Sequence, residues 1–142
     1  MRCAPPWFSF WISKYPITNA HYHRFVNAPD FADKELWVDF PTYSENKSGY
    51  GTIQNDGLKW LNSNLSNREY SPDGKRILPE FWNDPDFGKD NYYSPVVGIC
   101  WYEANAYAKW LFRHWSELGE QIYNPSITPS TIRLPREKEW VD

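Results

Sequence analysis

The longest regular pattern of apolar positions lies between Ser94 and Leu118. A short apolar run at residues 96–99 opens it. The apolar positions that follow fall at i, i+3, i+4, i+7, i+11 and i+14, which is the spacing of one helical face. They are Ala104, Tyr107, Ala108, Leu111, Trp115 and Leu118. The pattern predicts a long helix against which other segments pack.

Polar side chains occupy other positions of this predicted helix, and they are expected to face away from the core. They are Glu103, Asn105, Lys109, Arg113 and Glu117. Gly119 follows, and glycine tolerates the left-handed conformation that commonly ends a helix. The helix is therefore predicted to end at Gly119.

A second pattern lies near the N-terminus. Residues 7–15 are aromatic and partly alternating, which predicts a strand with Phe8, Phe10 and Ile12 on one face. Pro16 ends it, and Thr18 is placed to accept a hydrogen bond from the first turn of a helix. Tyr22, Phe25 and Val26 continue that helix at helical spacing.

The segment from Asn27 to Tyr93 is irregular and rich in turn-forming residues. Short helical pieces are predicted at Asp33–Trp37 and Gly57–Leu65, and a turn at residues 82–86. No internal repeat or linker-like tract divides the chain, so it is interpreted as one domain.

Composition narrows the class of protein. The 142 residues carry a net charge of −3, with a pI near 5.6, so no basic field favours nucleic acid or an anionic membrane. Aromatic residues make up 19% and include 9 tryptophans, while the mean hydropathy is −0.75. These values predict a loop-rich fold with a core of few large side chains. No 18-residue apolar span or signal peptide is evident, which favours the cytoplasm.

Three motifs resemble the formylglycine-generating enzyme (sulfatase-modifying factor) family. Residues 95–110 (PVVGICWYEANAYAKW) are similar to its central motif, residues 10–26 (FWISKYPITNAHYHRFV) to an N-terminal one, and residues 132–140 (IRLPREKEW) to its Arg-Leu-Pro signature. In the last motif Arg136 stands where the family has a capping threonine, which predicts a helix start weaker by about 1 kcal/mol.

The resemblance implies an α+β fold of the formylglycine-generating-enzyme type, a variant of the C-type lectin-like fold, with little regular secondary structure. Residues 1–142 are expected to form a partial domain, covering about the N-terminal half. The family oxidises a cysteine of a protein substrate to formylglycine with oxygen and copper. Its pair of active-site cysteines lies downstream of the Arg-Leu-Pro motif, so no catalytic, cofactor-binding or metal-binding residue transfers to this chain.

Three functions remain open. In full length the domain is expected to be a metal-dependent oxidase acting on a protein or peptide cysteine, with copper and structural calcium implied by the family. The 142 residues alone are then expected to be inactive. The alternative is a non-catalytic C-type lectin-like module that binds a ligand or protein. The third is a truncated product without activity.

The histidine and cysteine side chains are candidate metal ligands. His21 and His23 lie two positions apart on a helix and cannot share a metal, so solvent-facing or capping roles are favoured. Cys100 stands at a packing position, and Cys3 is remote in sequence, so a buried thiol is favoured over a copper ligand. His114 lies late in the central helix, where a partly positive ring suits the dipole.

Carboxylates and aromatic residues are further candidates for a binding site. An oxygen-rich loop lacks the spacing of an EF-hand and is interpreted as a turn cluster rather than a calcium site. Its residues are Asn83, Asp84, Asp86 and Asp90. Glu137 and Glu139 are interpreted as solvated charges. The aromatic residues are interpreted as core, with a carbohydrate- or peptide-binding groove as the alternative.

Overall fold

The computed structural model describes residues 2–3, 11–38, 56–63, 65, 67–122, 129–135 and 139. Within them, two short strands pair antiparallel, β1 (Arg2–Cys3) and β2 (Trp11–Ile12). The helices are α1 (Asn19–Val26), a 3₁₀ helix (Lys34–Leu36), α2 (Asp56–Leu61), α3 (Trp101–Arg113) and α4 (Trp115–Ile122). Regular secondary structure is therefore sparse in the described part, as expected. Of the strand predicted at residues 7–15, residues 7–10 lie outside the described residues, β2 covers residues 11–12, and residues 13–15 are not in a strand.

The predicted N-terminal helix is confirmed as α1. Thr18 is its N-cap: the hydroxyl accepts a hydrogen bond from the His21 N–H at 3.3 Å. The ring Nδ1 of His21 accepts in return from the Thr18 N–H, also at 3.3 Å. Both groups thereby satisfy backbone donors that a helix start leaves without partners.

The predicted central helix is present but divided. It forms α3 and α4, which meet at His114, and the end predicted at Gly119 is wrong because α4 continues to Ile122. A glycine inside a helix costs about 1 kcal/mol relative to alanine. Trp115 and Leu118 of α4 pack against the core, which offsets that cost.

The polar side of the central helix is also not as predicted. Glu103 and Asn105, which were expected to face away from the core, are buried at 0% and 5% exposure. The side chain of Asn105 has a local hydrogen-bond partner, because its Nδ2 donates to the Trp101 carbonyl at 3.0 Å. Glu103 forms an ion pair with Arg68, which lies 35 positions earlier in the chain. An amphipathic pattern assigns polar residues to the surface and therefore misses both.

The core is rich in aromatic rings, as the composition predicted, and they supply about half of its buried residues. Phe25 of α1 lies at its centre and contacts five other rings within 6.3 Å. These belong to Tyr22, Phe31, Trp37, Tyr107 and Trp110. The aromatic contacts join α1 to α3 and to the segment that contains the 3₁₀ helix.

The middle of the chain is irregular where it is described. The helical piece predicted at Asp33–Trp37 is the 3₁₀ helix, with Asp33 as N-cap accepting from the Glu35 N–H at 3.0 Å. The piece predicted at Gly57–Leu65 is shorter and corresponds to α2. No helix in the described residues is long and apolar enough to cross a membrane.

Asp30 anchors the junction between α3 and α4. Its Oδ2 accepts a hydrogen bond from Arg113 at 3.0 Å and lies 2.8 Å from Nε2 of His114, while its Oδ1 accepts from Trp110 at 3.1 Å. Burial alone raises the pKa of Asp30. The hydrogen bonds from His114 and Arg113 outweigh it, so the pKa lies below its ordinary value of 3.8.

We predict that acid weakens this junction. A carboxyl with a depressed folded-state pKa stabilises the fold above its unfolded-state pKa, and the contribution is lost as pH falls through the folded-state pKa. Asp30→Asn should therefore lower the unfolding free energy at pH 7 by about 1 kcal/mol and reduce its change between about pH 5 and pH 3. Urea unfolding across that range measures both effects.

The control for this measurement is Glu117→Gln, because Glu117 is mostly exposed and lies 3.7 Å from the same histidine. This variant should keep the acid dependence of the wild-type chain. Equal pH slopes for the wild type and Asp30→Asn would contradict the prediction.

Candidate functional site

A loop before α3 presents an exposed aromatic surface. We call residues 79–97 the aromatic loop. Phe87 and Tyr93 are 56% and 92% exposed, against the buried rings of the core. The exposed rings of the loop belong to Phe81, Phe87, Tyr92 and Tyr93. The interpretation of the aromatic residues as core is therefore correct for many of them and wrong for these four, as it is for Tyr15, Trp101 and Phe112 outside the loop.

Asn19, in the first turn of α1, binds the backbone of the aromatic loop through its side chain. It is buried, and its Nδ2 donates to the carbonyls of Gly88 and Asn91, both at 3.0 Å. The neighbouring Ala20 N–H donates to the Tyr92 carbonyl at 3.0 Å. Loop carbonyls thus satisfy donors at the start of α1, and these bonds fix the path of the loop.

Gly88 marks the tightest point of the loop. Its N–H donates to the Asp84 carbonyl at 2.8 Å. A Cβ added there would lie 2.4 Å from the Trp82 carbonyl oxygen, 2.5 Å from that of Asp84 and 2.8 Å from that of Phe81. The close approach of these three carbonyls requires glycine, so the tight turn of the loop depends on this residue.

The two exposed phenylalanines lie side by side. The ring centroids of Phe81 and Phe87 are 6.3 Å apart, with an angle of 59° between the planes. The backbone at Glu80 is fixed by its N–H, which donates to the Gly98 carbonyl at 2.9 Å. Gly98 has φ +72° and lies against Glu80, so this contact too depends on glycine. The rings therefore sit on a backbone held at both ends.

The oxygen-rich cluster in this loop has the contacts of a turn. Oδ1 of Asp84 accepts from the N–H groups of Asp86 at 2.7 Å and Phe87 at 3.1 Å. Nδ2 of Asn83 donates to the carboxylate of Glu69. These contacts agree with the turn interpretation, because the Asp84 carboxylate accepts from backbone N–H groups of its own turn. Within the described ranges, no three His, Cys, Asp or Glu residues are grouped to hold a metal ion.

The three histidines have separate structural contacts. His21 closes the capping box of α1, as one alternative predicted, and burial followed by the charge of Arg24 lowers its pKa. His23 packs edge-on against the ring of Trp82, with centroids 5.5 Å apart. His114 contacts Asp30 at the junction of α3 and α4. They do not converge on one site.

Cys100 is the N-cap residue of α3 and is a free, partly buried thiol. Its backbone N–H donates to Oε1 of Glu103 at 2.9 Å. Burial raises the pKa of the thiol. A thiol with a raised pKa is a weaker nucleophile and metal ligand at neutral pH, because the thiolate is the reactive form. The sequence predicted a buried thiol, whereas Cys100 is only partly buried. Cys100 alone does not supply the thiolate pair that Cu(I) favours.

Glu139 is not the solvated charge that the sequence predicted. Its side chain is 2% exposed and lies 2.7 Å from Nη1 of Arg133, measured to Oε1. Nη1 of Arg133 also donates a hydrogen bond to Oε2 at 3.3 Å, so the guanidinium compensates part of the lost hydration of the carboxylate. Its predicted counterpart Glu137, together with Arg136, lies outside the described residues.

The sequence did not predict the buried ion pair between Arg68 and Glu103. Nη2 of Arg68 lies 2.7 Å from Oε2 and 2.9 Å from Oε1 of Glu103. The same guanidinium donates to the Leu78 carbonyl at 2.8 Å and lies over the ring of Trp60 at 5.6 Å. No periodic signal marks Arg68 in its irregular segment. Glu103, three residues after an N-cap, had the spacing of a capping box.

Tyr22 joins this ion pair from α1. Its hydroxyl donates to Oε2 of Glu103 at 3.5 Å. Burial raises the pKa of Glu103 against the opposing effect of Arg68, and burial together with Glu103 raises that of Tyr22 well above its usual range. The three side chains are enclosed in the core and tie α1 and α3 to the loop of Arg68. Their position indicates a structural role.

Comparison with known proteins extends this description. The family model described as "Sulfatase-modifying factor enzyme 1-like domain" matches residues 7–141. The match spans all three motifs noted in the sequence. The comparisons with curated proteins and with solved structures gave no significant match.

Proposed function

Because the chain belongs to the sulfatase-modifying factor family, we propose that it is a non-catalytic, ligand-binding form of that domain. The ligand is a protein or peptide, bound at the aromatic loop. The C-type lectin-like variant of the fold is part of this proposal. The observation that carries it is the exposed pair Phe81 and Phe87 on a backbone fixed by hydrogen bonds.

Rigidity of the loop supports a binding role. Exposed aromatic rings on a mobile segment lose conformational entropy when they bind, and a preorganised surface avoids much of that cost. Here Asn19 bridges two loop carbonyls and Gly88 permits a close backbone turn. Large aromatic side chains are also the residues that contribute most at protein interfaces. The loop therefore combines contact area with a defined shape.

The chemistry of the described residues favours binding over catalysis by this chain. Cys100 is engaged at a helix N-terminus with a raised pKa. The charged side chains of Arg68 and Glu103 are enclosed in the core and satisfy each other. Neither set presents a reactive group beside the exposed rings.

The second candidate is the cysteine oxidase that the motifs implied, and family membership favours it. In that case copper would supply the oxidative chemistry and calcium a structural contribution. The described residues do not fit a copper site, since the one cysteine whose side chain they describe is Cys100, the N-cap residue of α3. We therefore derive no catalytic step for this chain.

Panning of a phage-displayed random peptide library against the purified chain tests the proposal. We expect peptides to be enriched on the wild-type chain and to be lost on Phe81→Ser/Phe87→Ser, because the variant removes the exposed ring pair. Phe112→Ser is the matched control, since Phe112 is 41% exposed but lies on α3, outside the loop. It should retain the enriched peptides.

Two outcomes would overturn the proposal. One is failure to enrich any peptide that depends on the two phenylalanines. The other is conversion of a cysteine-containing peptide to an aldehyde by the purified chain with copper and oxygen, which would favour the oxidase. Near-UV circular dichroism confirms that each variant keeps its aromatic packing.

A further inference from the structure

The aromatic loop is strongly acidic. Between Arg76 and Lys109 the sequence contains one cation, Lys89, and five carboxylates. Glu103 is buried and paired with Arg68, so it does not contribute to the surface. The other four belong to the loop. They are Glu80, Asp84, Asp86 and Asp90.

Carboxylates and rings alternate along the exposed part of the loop. Glu80 directly precedes Phe81, and Asp86 directly precedes Phe87, and all four side chains are exposed. The two rings lie within 6.3 Å of each other, so the two acidic residues flank one aromatic pair. Asp90 adds a third exposed carboxylate before the tyrosines. The exposed carboxylates and the exposed rings therefore belong to the same short loop and alternate along it.

These carboxylates are available to a ligand. Within the described part of the chain, the side chains of Glu80, Asp86 and Asp90 form no ion pair or hydrogen bond. Asp84 instead caps the turn through Oδ1, which holds the Phe87 backbone in place. The charges of Glu80, Asp86 and Asp90 are therefore exposed to solvent and are not neutralised by a partner within the described residues.

A surface of this kind discriminates by charge. Aromatic faces attract ammonium and guanidinium groups through the ring quadrupole, and the attraction adds to that of nearby carboxylates. Guanidinium groups also stack on aromatic faces and pair with carboxylates in a bidentate geometry. An acidic segment would be repelled by the same charges.

We propose that the aromatic loop binds an arginine- or lysine-rich segment of a partner protein. This inference rests on the proposed function and names the class of its ligand. Cationic side chains lie over the rings of Phe81 and Phe87, and the exposed carboxylates of Glu80, Asp86 and Asp90 pair with them. Because these charges are exposed, binding is sensitive to salt.

Fluorescence anisotropy with three labelled peptides of equal length tests the inference. Serine alternates with arginine in the first, with glutamine in the second and with glutamate in the third. We expect the arginine peptide to bind the purified chain about tenfold more tightly than the glutamine peptide, and the glutamate peptide more weakly still. Raising the salt concentration should remove most of the preference for arginine.

Two variants separate charge from aromatic contact. The triple variant Glu80→Gln/Asp86→Asn/Asp90→Asn should lower the affinity for the arginine peptide to that for the glutamine peptide. Phe81→Ser/Phe87→Ser should weaken both peptides. The controls are Glu117→Gln and Phe112→Ser, which change an exposed charge and an exposed ring outside the loop and should leave binding unchanged.

The outcomes distinguish this inference from the function on which it rests. Equal binding of the arginine and glutamine peptides, lost with the two phenylalanines, would overturn the charge preference and keep the binding function. Arginine binding that survives the triple variant would also overturn the inference. If a neutral oligosaccharide binds at the rings and no peptide does, both proposals fail.

Discussion

Replacing Glu103 by alanine is expected to lower the free energy of unfolding by about 3–5 kcal/mol. The substitution leaves the Arg68 guanidinium buried without its counter-ion, and that side chain is only 8% exposed. It also removes the acceptor for the Cys100 N–H at the start of α3 and for the Tyr22 hydroxyl. An uncompensated buried charge costs more than the net value of the pair itself.

Chemical denaturation of the wild type and of Glu103→Ala measures this effect. Glu117→Ala is the control: the Glu117 side chain is 74% exposed, and its loss should change the unfolding free energy by less than about 0.5 kcal/mol. The double variant Arg68→Leu/Glu103→Leu should be destabilised by less than the sum of its single changes. Both charges are removed together, so no unpaired charge is left in the core. A loss below about 1 kcal/mol for Glu103→Ala would show that the pair is not buried as described.

Replacing Phe25 by alanine is expected to cost about 3–5 kcal/mol of unfolding free energy. Phe25 is fully buried, and its ring contacts five other aromatic rings. Truncation removes the transfer free energy of the ring and leaves a cavity. Rigid aromatic neighbours cannot easily fill that cavity, so the cost should lie near the upper end of the range.

The matched control is Phe112→Ala, which removes the same ring from an exposed position on α3. It should cost less than about 1 kcal/mol. Thermal unfolding followed by near-UV circular dichroism reports both the midpoint and the packing of the remaining rings. Similar losses for the two variants would contradict the placement of Phe25 at the centre of the core.

Part of this arrangement could be predicted from local sequence. Thr18 lies before a helical run, and a capping residue acts within four positions of the chain, so α1 and its N-terminus were predictable. The turn at Asp84 is equally local, since its carboxylate bonds N–H groups two and three residues away. The three motifs identified the family for the same reason, because each is a continuous stretch.

Other features depend on contacts between distant residues. Arg68 and Glu103 are separated by 35 positions, and Asn19 reaches carbonyls about 70 positions away. Neither contact can be read from the spacing of residues within one segment, because the two partners lie in segments that are far apart in the chain. Glu103 lies among the polar positions of the central helix. Only the structure shows that it is buried against Arg68, whose guanidinium lies over the ring of Trp60.

The sequence alone determined the family, the helices α1 and α3 and the aromatic character of the core, since short-range spacing and composition encode them. Only the tertiary structure decided where the central helix divides, which charges are buried and which aromatic rings remain outside. Those outcomes depend on whether a side chain finds a partner across the fold. Phe25 and Phe87 are the same residue type, yet one is enclosed by five rings and the other lies on the surface, because only the first faces a helix that can cover it.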